Sequence, residues 1–76
     1  MSKFLKTLNL DEATRYDVVS STISYLGKAF IGTNTTENKW KIARLTSDTS
    51  GGIYTEFADA GNYTQIWDNR TSLSYS

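Results

Sequence analysis

A chain of 76 residues provides for one small domain, and its eight basic and eight acidic residues leave no net charge. The lack of Cys and His excludes disulfides and the usual zinc sites, and the neutral balance gives none of the basic footprint that nucleic-acid binding needs. No apolar run approaches the ~20 residues of a membrane span, and residues 1–10 lack the continuous apolar stretch of a signal peptide, so the chain is expected to stay in the cytoplasm where it is made.

Small size also limits stability. A chain of this length buries only about 60% of the surface it exposes when unfolded, and one such core supplies ~3–5 kcal/mol of net stability. With no cystine and no metal, the remainder must come from tight packing or from other subunits. Ser and Thr make up roughly a quarter of the chain, accompanied by five Tyr, three Phe and two Trp. Thr, Ile and the aromatics suit pleated, half-buried surfaces. Pro is absent, so turns must come from Gly, Asn, Asp and Ser.

Residues 3–10 place Phe4, Leu8 and Leu10 at even positions, a weak strand, although Phe4, Leu5 and Leu8 also fit a short helix. Residues 11–14 read as a loop. Residues 15–31 carry a stronger strand signal. Ile23, Tyr25, Gly27, Ala29 and Ile31 share one face, and Ser24, Leu26, Lys28 and Phe30 the other. Apolar residues on both faces predict cover on both. Gly27 in mid-strand predicts a bulge or a close approach to the backbone.

Residues 32–38 form a polar loop. A hairpin follows, with strands over 40–46 and 53–59 around the turn Ser47-Asp48-Thr49-Ser50-Gly51-Gly52. The register expected from this turn sets Leu45 against Ile53, Ala43 against Thr55, Ile42 against Glu56 and Arg44 against Tyr54, with Arg44 and Glu56 diagonal. Ala60-Gly61-Asn62 is another turn. The last segment, 63–75, alternates at Leu73-Ser74-Tyr75 and breaks at Asp68-Asn69-Arg70. Six strand candidates with frequent turns predict a mainly β fold, a small antiparallel sandwich or barrel-like domain over 1–76, with 1–14 as an arm or peripheral segment.

Without His or Cys the commonest base and strongest nucleophile are missing, and no motif activates a Ser through Lys28 or Lys41. Glu56, Asp59 and Asp68 read as solvated or salt-bridged acids. Gly51-Gly52 lacks the Lys and Ser/Thr of a phosphate loop. Asp59, Asp68 and Asn69 lack the close acidic spacing of a calcium loop. The glycosylation tripeptides at Asn34, Asn62 and Asn69 carry no weight without a secretory signal. No catalytic, cofactor-binding or metal-binding residue is assigned, and the chain is expected not to be an enzyme. The aromatics Trp40, Tyr54, Phe57, Trp67 and Tyr75 read as core or subunit-interface anchors. A sugar-binding platform is the rival, which exposed Trp40 and Trp67 would favour.

Three segments carry a resemblance: Tyr25-Leu-Gly-Lys-Ala29, the turn Ala58-Asp-Ala-Gly61, and Trp67-Asp-Asn-Arg70. With Trp40-Lys-Ile-Ala-Arg-Leu45, this pattern over residues 24–76 resembles small virion structural proteins of tailed bacteriophages and modules of their tails and fibres. The turn departs from the more usual Ala-Asp-Gly by one extra residue. The resemblance implies a subunit present in many copies in the neck, tail or fibre, held by protein–protein interfaces and assembled in the host cytoplasm without nucleic acid or membrane as partner. Capsid decoration and a sugar-binding fibre tip are the alternatives. Trp67 would be the anchor, and Arg70 a fork-shaped donor to Asp59 or Asp68.

Overall fold

The computed structural model describes residues 12–76, so the strand or helix expected over 3–10 lies outside the described residues. Four strands form one antiparallel sheet in sequential order: β1 (Glu12–Val18), β2 (Ile23–Phe30), β3 (Lys41–Ser47) and β4 (Ile53–Phe57). Two 3-10 turns follow, η1 (Asp59–Gly61) and η2 (Trp67–Ser72). The fold is therefore mainly β and antiparallel. Among the described residues the second layer is a C-terminal segment of 3-10 and extended backbone laid across one face of the sheet.

Residues 15–31 divide into two strands, and β1 starts at Glu12, inside the stretch expected to be a loop. The division lies at the Ser20-Ser21-Thr22 run. The Ser20 hydroxyl accepts hydrogen bonds from the amides of Thr22 (3.2 Å) and Ile23 (3.1 Å), a side-chain turn that outcompetes extended pairing. The Val19 amide then donates to the Ile23 carbonyl and closes the β1–β2 hairpin.

The β3–β4 hairpin forms as expected but two residues out of register. Arg44 stands directly opposite Glu56, Leu45 opposite Thr55 and Ser47 opposite Ile53. A shift of two keeps every side chain on its expected face. The turn is shorter because Asp48 gathers it. One carboxylate oxygen accepts from the amides of Ser50 (3.0 Å) and Gly52 (2.7 Å), and the other from the Tyr54 hydroxyl (3.0 Å). The Gly52 amide is the main reason the Asp48 carboxyl titrates below its ordinary range.

Pairing registers place Tyr25, Gly27 and Ala29 beside Ile42 and Arg44 on one face, with Ala13, Arg15 and Asp17 of β1 continuing it. The core sits here: Tyr25, Ala29, Trp40, Ile42 and Trp67 are buried, with Leu73 and Tyr75 packed against them. The alternation read at residues 73–75 thus points the right residues inward. The segment is nonetheless not a full strand; it joins the sheet only through isolated bridges, Trp40 with Gln65 and Ala58 with Tyr75.

Gly27 shows why this face closes. There is no bulge, since the β1–β2 and β2–β3 registers run unbroken through it. The Trp67 ring lies on its backbone. A Cβ at Gly27 would come within 2.6 Å of Trp67 Cζ3 and 3.2 Å of Trp40 Cε3, and nearer still to Trp67 Cε3. Gly27→Ala is therefore expected to destabilise the domain by about 1–3 kcal/mol through overpacking, measured as a lowered midpoint in urea.

The η1 turn holds Asp59 (φ 48°) and Ala60 (φ 54°) in the left-handed region ahead of Gly61 (φ 82°), with the Thr64 hydroxyl donating to the Asp59 carboxylate. The extra residue noted in this turn is thus accommodated by backbone that suits Gly better than Ala. Ala60→Gly is expected to raise stability by about 0.5–1 kcal/mol, read from the same urea curves.

Candidate interaction surface

On the covered face, one ion pair joins the C-terminal segment to the sheet and a second, within the sheet, lies under that segment. Arg70 Nε donates to Asp17 Oδ2 at 2.8 Å, its guanidinium lies 4.7 Å over the Trp67 ring, and Nη1 donates to the Trp67 carbonyl. The carboxylate expected for Arg70 was Asp59 or Asp68; the structure supplies Asp17 of β1 instead. Asp68 stands two residues before Arg70 in a 3-10 turn, where only residues three apart share a side, and Asp59 in η1 accepts from the Thr64 hydroxyl. Arg44 donates to Glu56 at 2.7 Å, which raises its pKa further, and lies 4.8 Å over the Tyr75 ring.

Tyr75 ties the two clusters together. Its ring meets Tyr25 at 5.8 Å, and its hydroxyl donates to the Arg70 carbonyl at 2.7 Å. Burial, with Tyr25 adding to it, pushes the Tyr75 phenol up to about 12, against about 10 in an unfolded chain. The unfolded state therefore loses its proton first. The stability contribution is intact below pH 10 and is lost as pH rises toward 12. Tyr75→Phe is expected to flatten this alkaline loss while costing about 1 kcal/mol at neutral pH for the missing hydrogen bond. Denaturant titrations across the alkaline range, with phenolate absorbance, check both.

The anchors read from the sequence divide by place. Trp40 (1% exposed) and Trp67 (5%) are core, their rings 6.0 Å apart. Tyr75 and Phe57 are half-buried, and Tyr54 is exposed. Among the described residues no cluster of His, Cys, Asp and Glu suited to a metal ion occurs, and no helix is long and apolar enough to cross a membrane.

The opposite face of the sheet is different. It carries Tyr16 and Val18 of β1, Leu26 and Phe30 of β2, Ala43 and Leu45 of β3, and Ile53 and Phe57 of β4, as the registers require. Cover was expected on both faces. The C-terminal segment packs on the other one, and here Phe30 is 76% exposed, Val18 70% and Ile53 67%. The charges on this face are mostly basic: Lys28 stands opposite Lys41, whose ammonium lies between the rings of Phe57 and Tyr63. At its edge, Glu12, Phe30, Lys39 and Tyr63 line a groove of about 460 Å³, where the Tyr63 hydroxyl donates to Glu12. Single exposed apolar residues are ordinary, whereas a sheet face bearing several of them is a candidate interaction surface. Comparison with protein-family models, with curated proteins and with solved structures finds no match.

This asymmetry between the two faces is not evident from the strand pattern, in which both faces carry apolar residues. Its signal was present in Gly27, the one position on either face of β2 without a side chain, which marks the face where an aromatic ring must lie.

Proposed function

We propose that this chain is a structural subunit of a tailed-bacteriophage virion, present in many copies and bound to neck, tail or fibre proteins through shape-complementary interfaces without bond chemistry. The observation that carries the reading is the one-sided sheet: Tyr16, Val18, Phe30 and Ile53 stand exposed on the face away from the C-terminal layer. The resemblance of residues 24–76 to small virion proteins supplies the setting. The burial of Trp40 and Trp67 speaks against the sugar-binding rival, because neither indole offers a face for a pyranose to stack on.

Quantitative mass spectrometry of purified particles, produced from a phage genome encoding this chain, tests the proposal. Several copies per particle are expected, with antibody label at the neck, tail or fibre. Label over the shell would favour the capsid-decoration alternative, and absence from purified particles would overturn the virion assignment.

A further inference from the structure

We infer that two copies of this chain join edge to edge through β1, on a two-fold axis at Tyr16, into one continuous antiparallel sheet. This names one self-contact within the multicopy assembly proposed above and rests on that reading for its setting. The first observation is the edge itself. Strand order places β1 outermost, and among the described residues no strand pairs with its outer side. The opposite edge is partly closed, since Phe57 of β4 exchanges both backbone hydrogen bonds with Ser76. An open edge offers a row of unpaired amides and carbonyls to another strand.

Parity then limits how a second copy can dock. The Val19 amide donates to the Ile23 carbonyl, and pairs along an antiparallel ladder alternate between bonded and non-bonded. In the β1–β2 register, Asp17, Arg15 and Ala13 therefore turn their backbone groups inward to β2, while Thr14, Tyr16 and Val18 turn theirs outward. Only outward-turned residues can bond to a neighbouring β1, so even-numbered residues must meet even-numbered ones.

Charge selects among the registers that remain. An axis at Arg15 sets Arg15 against its own copy, and an axis at Asp17 does the same for Asp17. Axes at Thr14 or Val18 set neither charge against its opposite. The axis at Tyr16 sets Arg15 against Asp17 of the second copy, twice by symmetry, with Tyr16 against Tyr16 and Thr14 against Val18. Arg15 is exposed and makes no ion pair with a described residue. Asp17 gives Oδ2 to Arg70 and keeps Oδ1 for a second donor, so the arriving Arg15 would complete a triad over the join. Tyr16 and Val18, both well exposed, would each gain a neighbour on the apolar face, and the apolar faces of the two copies would run together.

Two kinds of variant test the contact. Tyr16→Pro removes an outward-facing amide and no bond to β2, a placement that edge strands tolerate. It should leave the circular dichroism unchanged and abolish the dimer seen by native mass spectrometry or sedimentation. Single-cysteine variants read the register, because the chain has no other Cys. Bonded partners stand about 5.5 Å apart at Cα, within disulfide range. Tyr16→Cys should cross-link to its own copy under mild oxidation. Thr14→Cys and Val18→Cys should not, because their copies lie roughly 13 Å away along the strand. An oligomer that survives Tyr16→Pro, or cross-linking centred on another residue, would overturn this contact and leave the multicopy reading standing. A monomer at about 1 mM, including one whose β1 amides are shielded from hydrogen exchange by its own residues 1–11, would overturn it as well. The particle measurement would then decide the multicopy reading separately.

Discussion

Trp67→Ala is expected to unfold the isolated protein. The indole is 5% exposed and fills the space over Gly27, beside the Trp40 ring. Truncating a buried Trp costs about 3–5 kcal/mol, and the whole domain has only ~3–5 kcal/mol to lose. The substitution also removes the ring under the Arg70 guanidinium and so loosens the Asp17 pair. Trp67→Phe keeps a ring on Gly27 and should remain folded with a lowered urea midpoint. Urea curves followed by circular dichroism decide. A Trp67→Ala protein with the parental midpoint would show that the C-terminal layer does not hold this sheet.

Much of the sheet was legible because its signals are local. The hairpin from β3 to β4 announces itself in Ser47–Gly52, where Asp, Ser and Gly leave the chain little choice but to turn. The two-residue register error kept both faces right, because side chains alternate with period two. What depended on distance was not legible. Asp17 and Arg70 are 53 residues apart, and nothing near either one names the other. A bulge or a close approach was expected at Gly27, but the source of the approach was not, since Trp67 reaches it only after the chain has made four strands and the first 3-10 turn. The break at Ser20 failed for a different reason. Val18, Val19 and Ile23 push the propensity toward one long strand, and a single hydroxyl bonding two amides overrules them.

The same distance problem hides function. No residue of the exposed apolar face is unusual by itself, and the surface exists only because Trp67, Leu73 and Tyr75 all pack on the other side. The sheet spends its own second layer on one face. Under the multicopy reading proposed above, a second chain on the remaining apolar face would stabilise the folded state by mass action.

Trp40→Ala is expected to be as damaging as the loss of Trp67, and for a partly different reason. Trp40 is 1% exposed and lies where three parts of the protein meet. Its backbone exchanges both hydrogen bonds with Gln65, its ring packs on Trp67, and its indole N–H donates to the Asn34 carbonyl at 2.9 Å. That carbonyl also receives the Glu37 amide, so Trp40 fastens the β2–β3 loop to the core. Truncation to Ala should cost about 3–5 kcal/mol in cavity and lost burial, enough to unfold the monomer. Trp40→Phe separates the two roles: most of the ring remains, and the bond to Asn34 is lost, for a further cost of about 1 kcal/mol. Hydrogen exchange should then show the 33–39 loop opening in Trp40→Phe while the amides of β2 and β3 stay protected. Equal loss of protection in the loop and the strands would mean that the loop and the core unfold as one unit, and that the Asn34 bond fastens nothing of its own.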